Sequence, residues 1–423
     1  MTWGSVVPTA TAARAVAVAR EVAARLATPD SLPPATHRPT RLRDGASGAV
    51  GCALLLGQFT GHDWESAAHR CLGAAVGDIA QAGFGFPGLF DGLAGVAFAT
   101  ATLSRDGARY RHLLADVDRL VIRNAIARAD AVTHAPRGLP FEAFDIISGL
   151  AGIGAYLLRR REIAEAKQAL RAVLTALVAV CRWDAGVPNW YTPPSRIAPG
   201  TPMAESFPGG VLNCGLAHGV PGPLALLALA ELDGVSVAGQ RASITTVAHW
   251  LAAQRVDDEY GPNWPKGVAL PRGTAVGAPA ARNAWCYGGP GVARALWLAG
   301  KAIADAELRA LAVDAMAAAW LRLASVPDPD TSPGLCHGIA GLLQITARFT
   351  QDTGDARFAR ATVALTDLLL DLYDPGYPFG FRFCGEDPQD RPGLLDGAAG
   401  PALALLAAGT DVPPAWDRML LLA

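Results

Sequence analysis

The sequence predicts an all-α protein, an α/α toroid with about seven inner helices ringed by about seven outer ones, and long irregular loops over one end. Three observations point there. A Gly-x-x-Gly followed by an apolar helical run occurs seven times, with first glycines Gly45, Gly92, Gly149, Gly219, Gly288, Gly338 and Gly397. Successive marks stand 47, 57, 70, 69, 50 and 59 residues apart, room in each interval for two helices and two connections. Finally, 51% of the residues are hydrophobic and 17% charged, against about 25% charged in ordinary soluble domains. A repeated helix pair can stack into an open solenoid or close into a ring. The runs after the glycines are small and apolar on nearly all sides, as buried inner helices are, and this favours the double ring.

Taken in order, the chain opens with "TAARAVAVAREVAARLA", an apolar stretch broken by Arg14, Arg20, Glu21 and Arg25. That pattern reads as an amphipathic helix and not as a signal peptide, so the cytoplasm is the expected compartment. Segment 26–44 is an irregular, proline-containing lead-in. Residues 1–44 are therefore set apart from a single domain expected over 45–423. Between the marks, 161–181, 240–254, 301–323 and 355–373 carry apolar residues at helical spacing. Two stretches, 182–217 and 255–284, are long and rich in proline and glycine. Loops of that length in a compact domain are often functional, and both lead straight into a mark. No run reaches the roughly 18 apolar residues needed to span a bilayer, and the net charge of -2 argues against nucleic acid.

Seven cysteines, an odd number, suit thiols or metal ligands better than a disulfide framework. The chemistry collects before three consecutive marks: His218 before Gly219, Trp285-Cys286-Tyr287 before Gly288, and Cys336-His337 before Gly338. If the marks meet at one end of a toroid, Cys286, Cys336 and His337 converge. Two thiolates and an imidazole are good zinc ligands, and a three-ligand site leaves a position open for catalysis. Two thiolates neutralise Zn²⁺, so a third, substrate thiolate keeps its electron density. Such a site suits thiol alkylation or addition, whereas a histidine-rich one suits water activation. Cys52, Cys71 and Cys181 read as core residues, Cys384 is ambiguous, and Cys214, four residues before His218, is the obvious rival ligand though a packing role is the favoured reading.

The segments "RNAWCYGGPG" (282–291), "GLCHGIAG" (334–341) and "GLAHGVPG" (215–222) resemble the three motifs of the LanC-like lanthipeptide cyclases, and "FDIISGLAGIGAYLL" (144–158) resembles that family's earlier aspartate-containing mark. The resemblance runs from about residue 45 to the C-terminus. It implies an α/α toroid holding one zinc ion, with Cys286, Cys336 and His337 as ligands. It implies His218 as an acid/base and Asp145 as the acidic active-site residue. Arg282 falls in the stretch before the first ligand as a candidate donor to a developing oxyanion, with Trp285 and Tyr287 as candidate peptide contacts. Two local readings stay open beside these: Asp145 as a helix cap, and Arg282 as a brace for the 255–284 loop.

The activity implied is addition of a peptide cysteine to dehydroalanine or dehydrobutyrine in a dehydrated ribosomal precursor peptide, closing lanthionine or methyllanthionine thioether rings. Nothing in the sequence resembles a domain that dehydrates serine or threonine, so a separate dehydratase is the expected partner and a stand-alone cyclase the expected form. Two other readings remain open: a LanC-like protein that binds or adds glutathione, and a non-catalytic zinc-containing peptide-binding scaffold. A protein prenyltransferase β-subunit also pairs an α/α barrel with a thiol-activating zinc, but the adjacent Cys336-His337 argues against it.

Overall fold

The computed structural model describes residues 3–28, 46–81, 83, 85–105, 107–184, 186–270, 279–325, 332–383 and 391–423. Gly45, most of the lead-in 26–44, residues 271–278 and Cys384 lie outside these. The chain is mostly helical. In order come α1 (Thr9–Leu26), α2 (Ala46–Leu56), α3 (His62–Gln81), α4 (Leu93–Leu103), α5 (Arg111–Thr133), α6 (Leu150–Arg159) and α7 (Ala164–Val180). After the short α8 (Pro202–Ser206) follow α9 (Pro221–Leu232), α10 (Gln240–Ala253), α11 (Gly289–Ile303) and α12 (Ala306–Ser325). The last are α13 (Ile339–Thr353), α14 (Ala356–Asp371) and α15 (Ala399–Gly409).

Two kinds of helix alternate, and the sequence explains both. The helices that follow the glycine marks are built of small and aliphatic residues and are buried nearly all round. In α4 every residue except Thr102 is buried, and in α9 everything from Pro221 to Ala230 is. Those between them bury one stripe: in α7 the buried Ala166, Ala169, Leu170, Val173, Leu174 and Leu177 recur at three- and four-residue steps, and in α14 Phe358, Ala361, Leu365 and Leu369 do the same. The observed α7, α10 and α14 sit inside the expected 161–181, 240–254 and 355–373. The expected 301–323 instead takes in the last residues of α11 and most of α12, divided at Ala304 in the left-handed conformation.

Packing groups the residues into two compact units. One comprises 1–86, 90–117 and 323–417, and the other 87–89, 118–322 and 418–423. In the first, the buried helices α13, α15, α2 and α4 pack in that order, so the C-terminal mark adjoins the N-terminal one. Helix α1 lies on α15 and α14. The indole N–H of Trp3 donates to the Ala407 carbonyl (2.9 Å), and the Arg348 guanidinium covers its ring at 4.8 Å. In the second unit the buried series is α6, α9 and α11, with α7 and α10 alongside. No described helix is long and apolar enough to cross a membrane.

The two long connections are not featureless. Segment 182–217 forms the hairpin β1 (Trp183–Asp184) and β2 (Val187–Pro188), then β3 (Val211–Asn213). Segment 255–284 forms the hairpin β4 (Val256–Asp258) and β5 (Gly261–Asn263), then β6 (Gly267–Ala269). Strands β3 and β6 pair antiparallel, Val211 opposite Ala269 and Asn213 opposite Gly267, so the loops are stitched together beside the residues that precede α9 and α11.

The second glycine of a mark meets its own loop's backbone and, in several marks, a residue of a neighbouring mark's loop. A Cβ on Gly152 would collide with the Ile146 carbonyl oxygen of its own loop, and would lie 2.9 Å from Leu89 of the preceding mark's loop. The contact recurs: Ile146 lies against Gly222, Leu216 against Gly291, Leu335 against Gly400 and Leu394 against Gly51. Each of those residues stands three before its own first glycine. On α2 the equivalent contact falls on Gly51, while Gly45, the first glycine expected there, lies outside the described residues. The loop of the last mark needs close access to the α2 backbone, and Gly51 is where the two meet. We expect Gly341→Ala, whose methyl would overlap the Leu335 carbonyl, to destabilise the chain by about 1–3 kcal/mol. Gly73→Ala, on α3 with nothing within 4 Å of the added carbon, should instead stabilise it by up to ~1 kcal/mol. Urea unfolding midpoints of the two variants check both signs.

Candidate metal centre

A buried helix cannot leave the N–H groups of its first turn to water, so they need internal acceptors. Here the preceding loop curls back and supplies its carbonyls. Leu93 N–H donates to Phe86 O (2.8 Å), Ala151 to Phe144 (3.2 Å), Val220 to Asn213 (3.2 Å), Ile339 to Ser332 (2.8 Å) and Ala398 to Arg391 (2.7 Å). Each bond spans seven residues. The loops are also tied to each other: Ile146 N–H donates to Ala217 O (3.1 Å), and Ala217 N–H to Cys286 O (3.3 Å). Cys336 N–H donates to Leu395 O (3.0 Å). The two residues directly before each first glycine are thereby held in a repeated backbone frame, with their side chains left variable.

Cys286 and Cys336 occupy the place two before the first glycine, and His337 the place one before. One ligand atom from each comes together with the others, all within 4.8 Å of one another. Both cysteines are buried and free of disulfides, while His337 is exposed. Two soft donors inside and one imidazole at the surface form a donor set that could hold a metal ion.

His218 also stands directly before a first glycine. Its Nδ1 lies 2.7 Å from Asp145 Oδ2, with the aspartate fully buried and the histidine half-buried. The other carboxylate oxygen, Oδ1, accepts the N–H groups of Ser148 and Gly149, both at 2.8 Å. One oxygen of Asp145 therefore braces the turn before α6, whose N-cap is Gly149 and not Asp145, and the other faces the imidazole. Tyr287 is half-buried, its ring laid over Gly215, where a Cβ would come within 2.5 Å. Its hydroxyl accepts a hydrogen bond from Asn213 Nδ2 (3.1 Å).

The model of the lanthionine synthetase C-like protein family matches residues 37–421. The chain belongs to this family. It is 24% identical over 325 residues to the nisin biosynthesis protein NisC of Lactococcus lactis subsp. lactis, a span of 74% of this chain and 75% of that protein. The solved structure of nisin cyclase matches with a TM-score of 0.73 at 21% identity, covering 88% of this chain and 90% of that one. That likeness shows the fold, and the fold class is the expected all-α one, the α/α toroid of the nisin cyclase.

In this LanC-like chain the remaining expected residues are placed as follows. Arg282 is exposed, and its backbone carbonyl presses against Gly288, whose φ of +100° leaves no room for a side chain. Trp285 is fully buried, its indole N–H donating to the Leu420 carbonyl (3.1 Å). Cys214 does not join the metal-binding group among the described residues. Its thiol faces Leu212 O, and burial pushes its pKa up to about 12. Cys181 is raised to about 12 by the same cause. Cys52 and Cys71 are buried core thiols beside each other on α2 and α3.

Sequence reasoning missed Asp396, whose Oδ1 lies 3.7 Å from His337 Nδ1. The available signal was its position: it stands one before Gly397, the place taken by His218, Tyr287 and His337 in their marks. With a pKa near 12, a thiol at pH 8 is ionised to only about one part in ten thousand, and the thiolate is the reactive form. Cys181 and Cys214 of the native chain should therefore alkylate at least about a hundredfold more slowly than after unfolding, as read by mass-spectrometric peptide mapping at pH 8.

Proposed function

We propose that this chain is a zinc-dependent lanthipeptide cyclase, which adds cysteine thiols of a dehydrated ribosomal precursor peptide to its dehydroalanine and dehydrobutyrine residues. The observation that carries the reading is the gathering of Cys286, Cys336 and His337, far apart in sequence, into one group of donor atoms. The donor set fits zinc. Tetrahedral Zn–S and Zn–N bonds of about 2.3 and 2.0 Å put ligand atoms roughly 3.5 Å or slightly more apart, a small contraction from the observed spacing. Zinc held by these three residues supplies a Lewis acid that keeps a substrate cysteine as thiolate at neutral pH, and two protein thiolates leave that sulfur enough electron density to attack.

The reaction forms one C–S bond and one C–H bond. Sulfur attacks the β-carbon, the double-bond electrons move to the α-carbon and its carbonyl as an enolate, and a proton arrives at the α-carbon. No oxidant or reductant is consumed. His218 is the proton carrier. With Nδ1 turned to the Asp145 carboxylate, its Nε2 is the working nitrogen. Because Oδ1 of Asp145 is fixed by two backbone N–H groups, Oδ2 cannot swing away from the imidazole. Arg282, exposed on the segment that leads to Cys286, is the donor assigned to the enolate oxygen.

Tyr287, half-exposed beside Cys286, is assigned to peptide contact. We assign Trp285 to the support of that same segment instead, since its ring is closed off from solvent. The substrate must arrive already dehydrated, so the partner is an enzyme that removes water from serine and threonine side chains. The chemistry needs reduced thiols on enzyme and peptide alike, and the cytoplasm provides them.

The test measures metal content and activity together. Wild type should carry about one zinc per chain and consume the free thiol of a dehydrated, cysteine-containing peptide. Cys336→Ala should lose both. Cys214→Ser should keep its zinc. His218→Ala should keep its zinc while slowing thiol consumption by roughly 10²–10⁴. Zinc-free wild type, or zinc retained in Cys336→Ala, would overturn the site.

A further inference from the structure

Two histidines stand directly before a first glycine, and each has a carboxylate near the same ring nitrogen. For His218 it is Asp145, at 2.7 Å from Nδ1, and for His337 it is Asp396, at 3.7 Å from Nδ1. Asp396 itself occupies the equivalent place before Gly397, on the loop that receives the backbone of the His337 loop. Leu335 and Cys336 both donate their N–H groups to the carbonyl of Leu395, at 2.9 and 3.0 Å. The carboxylate and the imidazole are thus carried by segments pinned together one residue away from each.

We propose that Asp396 is the positioning residue of the metal site, accepting the Nδ1–H of His337 and leaving Nε2 as the nitrogen that faces the metal. The proposal rests on the zinc reading above. A ligating histidine characteristically gives its other N–H to a carboxylate or carbonyl, which fixes the tautomer, sets the ring plane and raises the basicity of the bound nitrogen. The 3.7 Å separation is an ion-pair distance that a small side-chain rotation converts to a hydrogen bond. Asp396 is a partner and not a fourth ligand, because its oxygens do not join the group of atoms lying within 4.8 Å of one another. The open coordination position therefore stays with the substrate.

The pairing matters more for His337 than for a buried ligand. His337 is exposed, and the side chain of Asp396 is 28% exposed, so packing alone does not hold this imidazole. The two cysteine ligands are buried and need no such help. Among the described residues, Asp396 has no other ion pair to draw it away.

The test compares zinc affinity, by competition with a chromophoric chelator, in wild type, Asp396→Asn and Asp396→Ala, alongside thermal unfolding of the metal-free forms and the visible spectrum of the cobalt(II)-substituted forms. We expect Asp396→Ala to bind zinc about 10–100-fold more weakly, with Asp396→Asn between it and wild type because its amide oxygen still accepts a hydrogen bond. The cobalt bands should shift in both variants, and the metal-free melting temperatures should stay close to wild type. Should Asp396→Ala fail to fold, Asp396→Asn carries the same comparison. Wild-type zinc affinity and unmoved cobalt bands in a folded variant would overturn the assignment of Asp396 while leaving the zinc site standing. A wild type that binds no zinc would overturn both.

Discussion

The rest of the structure depends on how the buried helices begin. A helix covered on every side cannot give its first N–H groups to water, and glycine at the N-cap offers no side-chain acceptor. The chain solves this with its own backbone, turning back over seven residues so that loop carbonyls cap the helix, as from Ile339 to Ser332 and from Ala398 to Arg391. That turn is too tight for a Cβ at the glycines it crosses, which is why the marks persist from one end of the chain to the other. At α2 the close approach of the last mark's loop falls on Gly51.

A frame held by backbone bonds frees its side chains for chemistry. The place two before the first glycine holds Phe90, Ile147, Ala217, Cys286, Cys336 and Leu395 along the chain. Cysteine can enter there at little structural cost, because the place is otherwise apolar throughout and buried or half-buried. The place one before holds Asp91, Ser148, His218, Tyr287, His337 and Asp396, polar residues at the less covered edge of the same turn. The division of labour in the metal group follows: thiols come from the buried place and the imidazole from the exposed one.

The histidine–carboxylate pairs extend the same logic. Asp145 is buried and could not remain so as a bare carboxylate. Three donors meet it, two from the backbone entering α6 and one from His218. Bracing of the turn and orientation of the imidazole are thus properties of one carboxylate, and no substitution at 145 separates them cleanly. Trp285 shows the reverse case: a residue flanking a ligand that proves to be anchored in the core, its indole N–H bound to Leu420 O.

Sequence by itself determined the repeat, the helix pairs, the apolar character of one member of each, and the identity of Cys286, Cys336, His337 and His218 as the unusual residues of that repeat. These are local facts, carried by glycine spacing, helical periodicity and side-chain chemistry, and they survive without knowing where any helix points. The tertiary structure decided which cysteines meet. Cys214, close in sequence to His218, is turned into the core with its thiol on a backbone carbonyl. Cys286 and Cys336, fifty residues apart, bring their sulfurs together. It also decided the contact of Gly51 with Leu394, the two faces of the Asp145 carboxylate, the burial of Trp285 and the approach of Asp396 to His337. Each depends on backbone bonds and contacts between segments tens to hundreds of residues apart. Such contacts are fixed by packing, and residue spacing along the chain does not encode them.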